Sequence, residues 1–190
     1  NFDDMEDTKR VEKIIEDAIG ERIIGYRAPS FSITKDSLWA LDILMEEGFV
    51  YDSSIFPVIH HRYGITNSKR FPYKLFSKDG RHLYEIPLST LAVFKKNIPV
   101  AGGGYLRLSP YIFTKWALDR INKKEKQPVI IYLHPWEIDC YQPRLKASLI
   151  SKFRHYTNLD KMENNLIQLL KDFKFGRIRD LLDEFGDRFN

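Results

Sequence analysis

The chain is predicted to adopt an α/β fold, and three observations support this prediction. Segments with apolar residues at helical spacing alternate along the chain with short runs of β-favouring residues. Three of the predicted strands end in a polar side chain, namely Arg27, Asp52 and His134. The 190 residues, of which 43% are hydrophobic, are enough for one substantial core and few for two. We therefore expect a single domain over residues 1–190, with parallel strands whose ends share one face.

The first part of the chain predicts a helix followed by a short strand. Apolar residues fall at helical spacing over residues 3–19, and Gly20 is a typical stop. Asp3 and Asp4 are interpreted as acids at the helix N-terminus, which the helix dipole favours. Residues 22–26 then read as a strand that ends at Arg27.

The next unit repeats this order. Thr34 is predicted to cap a second helix that ends at Gly48, and residues 49–51 form the next candidate strand, which ends at Asp52. A polar and aromatic loop is expected over residues 60–78, and loops of that length are more often functional than accidental.

The second half contains the strand that carries His134. A strand is expected near residues 83–93, and a helix from Ser109 and Pro110 through Asn122. The apolar run at residues 129–133 reads as a buried strand. A helical tail is expected from about residue 158. One apolar face of this tail consists of Leu166, Leu169 and Leu170, and a second consists of Ile178, Leu181 and Leu182.

His134 is the most informative residue of the chain. It lies at the end of an apolar run, and Pro135 stops the strand directly after it. Trp136 and Glu137 are close enough in sequence to shape a pocket around it. Catalytic residues of α/β enzymes are commonly found at such strand ends. The alternative is a core histidine whose ring is satisfied by a neighbour.

Arg27, Asp52 and His134 together could carry acid–base chemistry. A histidine near an aspartate acts as a general acid or base, and an arginine can hold a carboxylate while lowering its pKa. The alternative is that Arg27 and Asp52 form a structural ion pair.

Composition limits the function classes. The net charge is +4, but Lys and Arg are interleaved with Asp and Glu, so no nucleic-acid partner is required. Cys140 is the single cysteine, which excludes an internal disulfide and a cysteine-based zinc cage, and leaves the compartment open. No apolar run is long enough for a membrane span.

Three further motifs carry no chemistry of their own. The glycines at residues 102–104 lack a Walker lysine, so they indicate loop conformation or close substrate approach. His60 and His61 are adjacent, and in an extended segment they point to opposite sides, which disfavours a metal pair. The serines lack a nucleophile-elbow context, which disfavours a serine hydrolase.

Four motifs follow one another along the chain, at residues 25–32 (GYRAPSFS), 51–57 (YDSSIFP), 101–105 (AGGGY) and 133–137 (LHPWE). Together and in this order they resemble the polysaccharide deacetylases of the NodB-homology family, closest to the branch associated with bacterial exopolysaccharide and exosortase gene clusters. The resemblance covers nearly the whole chain. It implies a distorted (β/α) barrel and metal-dependent removal of acetyl groups from N-acetylated sugars of a polysaccharide or oligosaccharide.

The same resemblance implies roles for individual residues. His134 would be the general acid that protonates the leaving amine, Arg27 would hold the catalytic carboxylate, and Asp52 would tune His134. The backbone N–H of Ser30 would help stabilise the oxyanion. The implied substrate-binding set is Tyr26, Ser30, Tyr105 and Trp136.

The chain also departs from the family pattern. In the family, a first motif supplies the catalytic and metal-binding aspartates and a second supplies two metal-binding histidines, and both precede the helix at residues 3–19. We therefore expect a barrel that lacks its first strands, no divalent metal (zinc in the intact enzyme) bound by this chain, and negligible activity of the chain alone. The exposed sheet edges of such a barrel predict self-association.

Three functional hypotheses follow, in this order. The first is the C-terminal part of a polysaccharide deacetylase. The second is a non-catalytic carbohydrate-binding or assembly module that has lost the metal half of the site. The third is a basic nucleic-acid-binding domain, supported by the isoelectric point near 9.0 alone.

Overall fold

The computed structural model describes residues 2–60, 63–94 and 96–189, and for residues 2–8 the backbone alone. His61 and the side chains of Asp3 and Asp4 lie outside this description. The helices are α1 (Phe2–Ile19), α2 (Trp39–Glu46), α3 (Gly103–Leu108), α4 (Tyr111–Asp119), α5 (Leu149–Tyr156), α6 (Leu159–Asp172) and α7 (Ile178–Phe185). The strands are β1 (Gly25–Tyr26), β2 (Tyr51–Asp52), β3 (Tyr73–Phe76), β4 (His82–Glu85), β5 (Thr90–Val93) and β6 (Lys96–Pro99).

The strands form a mixed four-stranded sheet and a separate hairpin. The order in the sheet is β1-β2-β4-β3, and β5 pairs with β6. β1, β2 and β4 are parallel, whereas β3 is antiparallel to β4. The α/β class is therefore confirmed, and over the ranges that the structure describes the sheet is open, without the closure of a barrel.

Helices with a strong local pattern lie where the sequence predicts them. α1 ends directly before Gly20, whose φ of 69° is in the region that glycine adopts easily. The turn before α2 begins at Thr34, whose backbone N–H donates to Ser37 Oγ over 2.8 Å. Gly48, with φ of 82°, follows α2. In the tail, Leu169 of α6 is buried, whereas Leu170, which was predicted on the same apolar face, is 55% exposed.

Several boundaries differ from the prediction. The expected loop over residues 60–78 contains β3, whose pairing partner β4 the local pattern does not reveal. The strand expected near residues 83–93 is two strands, since Pro87 lacks the N–H needed to continue a ladder. The helix expected to reach Asn122 is α4 followed by a π-helical turn at Arg120–Lys124.

The segment expected to be a buried strand before His134 is extended but pairs at one point. Tyr132 forms a parallel bridge with Gly102, and its N–H donates to Ala101 O over 2.8 Å. The backbone that pairs with Tyr132 turns into α3 directly after Gly102, so a longer ladder has no partner on that side. Further back, Ser89 Oγ accepts from the N–H of Ile130 over 2.8 Å. The prediction of a regular strand was therefore wrong, although the segment lies where a strand would.

The core has three parts. One lies between α2 and the sheet, a second includes Ile86, Leu88 and the apolar face of α7, and a third joins the hairpin to α4 and α6. None of the helices in the described ranges has the length and apolar character needed to cross a membrane.

Candidate functional site

Polar side chains gather where the parallel strands end. Arg27 directly follows β1, and Asp52 and Glu85 are the last residues of β2 and β4. Tyr26 is in register with Asp52, and Asp52 with Glu85, so the three endings share one edge of the sheet. The prediction that the three strand endings share one face is confirmed for Arg27 and Asp52, whereas the segment before His134 is not a strand of this sheet.

Arg27 joins the sheet edge to the His134 segment. Its Nε donates to Ser53 O over 3.0 Å and its Nη2 to Ser53 Oγ over 2.7 Å. Its guanidinium carbon lies 5.1 Å from the centre of the Tyr132 ring, within cation–π range. These hydrogen bonds go to Ser53 rather than to the Asp52 carboxylate, so Arg27 and Asp52 interact through their charges at longer range.

Asp52 is fully buried and serves the backbone around it. Its carboxylate accepts from the N–H of Ser54 over 3.0 Å and from Ser54 Oγ over 2.6 Å. Ser54 Oγ in turn accepts from the N–H of Ala28 over 2.7 Å, which ties the β1 and β2 endings together. Burial raises the pKa of Asp52.

Glu85 is a site residue that the sequence reasoning did not single out. It is fully buried, and its Oε1 accepts from the N–H of Ile55 over 3.1 Å. Its Oε2 has no N–H or hydroxyl donor among the described residues, and the carboxyl group of Glu85 interacts with that of Asp52. Two carboxyl groups can form a hydrogen bond when one of them is protonated. Burial, and then the charge of Asp52, raise the pKa of Glu85 well above its usual value, which favours a proton held within the pair. The signal in the sequence was an acid inside the apolar run at residues 83–88.

His134 is exposed, and its neighbours orient it. Its Nε2 lies 3.0 Å from Tyr132 Oη. Its ring faces the Trp136 ring at a centroid distance of 5.7 Å and a tilt of 21°. Its backbone N–H donates to Glu137 Oε2 over 2.9 Å. The contacts that the structure describes for His134 are thus with residues of its own loop. Those of the Asp52 carboxyl group are with Ser54 and Glu85 instead.

A buried ion pair fixes the His134 loop. Glu137 and Arg107 are each 3% exposed, with Glu137 Oε1 3.2 Å from Arg107 Nη2. Gly103 lies against the Glu137 carboxylate so closely that a Cβ there would overlap it. The close approach of a side chain of this protein therefore explains Gly103, the middle residue of the glycine run at residues 102–104.

Arg107 also fixes the segment that follows. It donates to Arg154 O, His155 O and Thr157 O over 3.2, 3.1 and 2.8 Å. One guanidinium therefore positions both the His134 loop and the C-terminal end of α5. Sequence reasoning missed this role because the partners are 30 to 50 residues apart.

Aromatic rings extend from His134 along the surface. The Trp136 ring stacks on His155 at 4.1 Å, and His155 meets Tyr156 edge-on at 4.6 Å. Stacked rings with partly exposed faces are suited to binding sugar rings or other flat apolar surfaces.

The remaining predicted residues lie in two places. Ser30 is exposed with φ of 56°, and Phe31 follows with φ of 55°, so two consecutive side-chain-bearing residues adopt the left-handed region, a strained arrangement that is common at functional sites. The Phe31 ring packs edge-on against Tyr132 at 5.1 Å, which brings this loop to the His134 segment. Tyr105 is partly exposed and hydrogen-bonded to Tyr63, and burial raises its pKa.

Tyr26 belongs to a different surface. It packs edge-on against Phe49 at 5.8 Å and lines a cleft of about 740 Å³ between α1, β1 and α2. Arg27 lines the same cleft, but His134 does not. This cleft therefore touches the candidate site through Arg27 alone among the three predicted catalytic residues.

A metal-binding cluster is not found in the described part of the chain, where no group of three or more His, Cys, Asp and Glu side chains is placed to hold an ion. The acidic pair of the candidate site, Asp52 and Glu85, is closed off from solvent. The described residues thus do not fit a catalytic divalent metal.

A family model described as a domain of unknown function (DUF3473) matches residues 53–183. The match includes Glu85, Arg107 and the His134 loop, and it leaves Arg27 and Asp52 outside. No curated protein and no solved structure matches the chain.

Proposed function

The chain belongs to the DUF3473 family, and we propose that this member forms the acid-bearing and substrate-binding part of a deacetylase that acts on N-acetylated polysaccharides. One observation carries the proposal. His134 is an exposed imidazole beside the partly exposed Trp136 ring, and a buried ion pair holds its backbone in place. Placing a titratable group on a rigid support next to an aromatic face is what acid catalysis on a sugar requires.

The four motifs that resemble NodB-homology deacetylases also support the proposal. Their distant segments converge: residues 25–32 supply Arg27 and Phe31, both of which contact Tyr132, and Tyr132 contacts His134. We further propose that the three parallel strands of the open sheet correspond to part of the distorted (β/α) barrel of that family, with β1 at the edge where further strands would add.

In the proposed reaction, water adds to the acetyl carbonyl carbon as its proton passes to a carboxylate base that the described residues do not supply. The C–N bond then breaks, and acetate and a free amine leave. His134, in its protonated form, donates a proton to the departing nitrogen. Tyr132 Oη holds the imidazole in orientation, and the ring of Trp136 supports the sugar. The described residues do not fit the divalent metal that this chemistry uses in the NodB-homology family.

The test is deacetylation of N-acetylglucosamine oligosaccharides by the full-length protein, measured as released acetate. His134→Ala should lower kcat by about 100-fold or more with a smaller change in KM, because a general acid acts mainly in the transition state. His82→Ala, at an exposed histidine in β4, is the matched control and should retain activity. Equal activity of His134→Ala and parent rules out the acid role.

A second candidate is a carbohydrate-binding module without catalysis. It is favoured by the ring series from His134 to Tyr156 and by the lack of a metal-holding group among the described residues. This candidate predicts oligosaccharide binding that Trp136→Ala abolishes and His134→Ala retains, with no acetate released by the parent. Calorimetry together with the acetate assay separates the two functions.

A further inference from the structure

The segment between Asp139 and Asp160 has an unusual charge. It holds four of the 30 Lys and Arg residues of the chain and none of its 26 Asp and Glu residues. The rest of the chain is therefore electrically balanced, and this one stretch accounts for the net charge of +4. All four cationic residues are exposed, namely Arg144, Lys146, Lys152 and Arg154.

Large apolar side chains are exposed on the same segment. Leu149 is 86% exposed, and Leu145, Ile150 and Phe153 are each at least 60% exposed. With about 100° per residue, the three on α5 fall within one arc of the helix, with Lys152 and Arg154 on its two sides. The four apolar and four cationic residues together are called the apolar–basic patch below. Apolar side chains flanked by cations form the pattern of a helix that lies on an anionic membrane.

The apolar–basic patch is a fixed part of the protein. Arg107 binds the carbonyl oxygens at the end of α5, and the Tyr156 hydroxyl accepts from the N–H of Leu145 over 2.9 Å. The Arg144 guanidinium carbon lies 5.0 Å from the centre of the Tyr156 ring. The side chains of the patch are therefore presented outward by a backbone that is tied to the core.

We propose that the apolar–basic patch binds the surface of an anionic lipid bilayer, with the apolar side chains inserted between headgroups and the cations on lipid phosphates. The exposed aliphatic side chains favour this partner over an acidic polysaccharide, since Leu and Ile gain little against a hydrated glycan. The lack of acidic residues favours it over zwitterionic lipid, because each cation near an anionic surface adds attraction. Membrane docking does not depend on the proposed deacetylation.

The patch lies beside the His134 site. His155, on α5, stacks on Trp136, which in turn faces His134. Docking through the patch would therefore bring the candidate site to the lipid surface, where a glycan carried on a lipid is accessible.

The experiment is vesicle co-sedimentation of the full chain. We expect binding to vesicles of phosphatidylcholine and phosphatidylglycerol in equal parts, weaker binding as salt is raised, and little binding to phosphatidylcholine alone. The triple variant Leu149→Ser, Ile150→Ser, Phe153→Ser should lower the partition coefficient by about tenfold or more. Lys152→Gln and Arg154→Gln should each lower it by about fivefold.

Ile112→Ser is the matched control, because Ile112 of α4 is 79% exposed and lies outside the patch. It should bind vesicles like the parent, and unchanged thermal unfolding of every variant would show that folding is retained. Equal binding to both vesicle types, no binding, or parent-like binding of the triple variant overturns the proposal. So does binding to alginate without binding to vesicles, or loss of self-association as the triple variant's only effect.

Discussion

Two buried pairs of ionisable side chains lie near the candidate site, Arg107–Glu137 and Asp52–Glu85, and they differ in how their charge is compensated. The Arg107–Glu137 pair is balanced in charge, and its atoms have donors and acceptors on several segments. The Asp52–Glu85 pair is two acids side by side, with one oxygen that needs a shared proton. A balanced pair fixes geometry at any ordinary pH, whereas an acid pair makes the sheet edge depend on protonation. Only the first kind suits a support for an exposed acid such as His134.

The largest expected effect is at Arg107. Arg107→Met leaves the Glu137 charge buried and unpaired and removes the donor to three backbone carbonyls, so unfolding should require about 3–5 kcal/mol less free energy. Arg107→Lys keeps the charge without the planar fork and should lose less. Chemical denaturation measures both, with Lys115→Met, at a more exposed pair with Asp172, as a nearly neutral control. A loss at Arg107 no larger than at Lys115 would contradict the comparison.

The next effect tests the space around Glu137. Gly103→Ala places a Cβ in the volume of the Glu137 carboxylate and should cost about 1–3 kcal/mol, because the buried pair must shift. Gly104→Ala is the matched control, since the nearest side-chain atom to a Cβ there is 4.0 Å away. It should leave stability equal or slightly higher, as alanine favours a helix. Equal destabilisation at both positions would show that flexibility, not close approach, explains the glycines.

At the Asp52–Glu85 pair, in contrast to Arg107 and Gly103, a substitution is expected to increase stability, because the contribution of this pair depends on pH. Burial raises the pKa of Glu85 and of Asp52 in the folded protein, so the folded state keeps a proton that the unfolded chain releases near pH 4 to 5. The stability contribution of the pair is therefore present at low pH and is lost as pH rises towards the raised pKa. The loss amounts to about 1.4 kcal/mol for each tenfold difference in proton affinity between the folded and unfolded states.

Glu85→Gln supplies the donor permanently and should increase stability at pH 7 while flattening this decline. Denaturation curves from pH 4.5 to pH 8 measure it, and Glu163→Gln at an exposed position should keep the slope of the parent. A steeper decline in Glu85→Gln than in the parent would refute the shared proton.

The smallest expected effect on stability is at Tyr132, beside the loop that the Arg107–Glu137 pair fixes. Tyr132→Phe removes the hydroxyl that lies 3.0 Å from His134 Nε2 and should change stability by less than about 0.5 kcal/mol, because the group is not deeply buried. The ¹⁵N resonance of His134 Nε2 should nevertheless shift, since that nitrogen loses its partner. An unchanged resonance would mean that Tyr132 does not orient the ring.

The two clusters also differ from the helices in how far the sequence could predict them. Helices α1 and α6 follow from apolar spacing within a few residues, and the common edge of Arg27 and Asp52 follows from strands being parallel. Glu85 and Arg107 were missed because their partners lie about 30 residues or more away, and no local pattern encodes such contacts. The strand before His134 was overpredicted for the same reason, since its apolar run is local but its pairing partner ends after one bridge.

Arg107 also has a consequence for the order in which the chain folds. Its hydrogen bonds span 30 residues to Glu137 and up to 50 residues to Thr157, so they close large loops late in folding. During synthesis, neither the His134 loop nor the apolar–basic patch reaches its final geometry until residue 157 has left the ribosome. Because Arg107 is made before α5, its guanidinium is available to bind the end of α5 as soon as residue 157 has emerged, which shortens the time that the exposed aliphatic residues of α5 spend unanchored in a nascent chain.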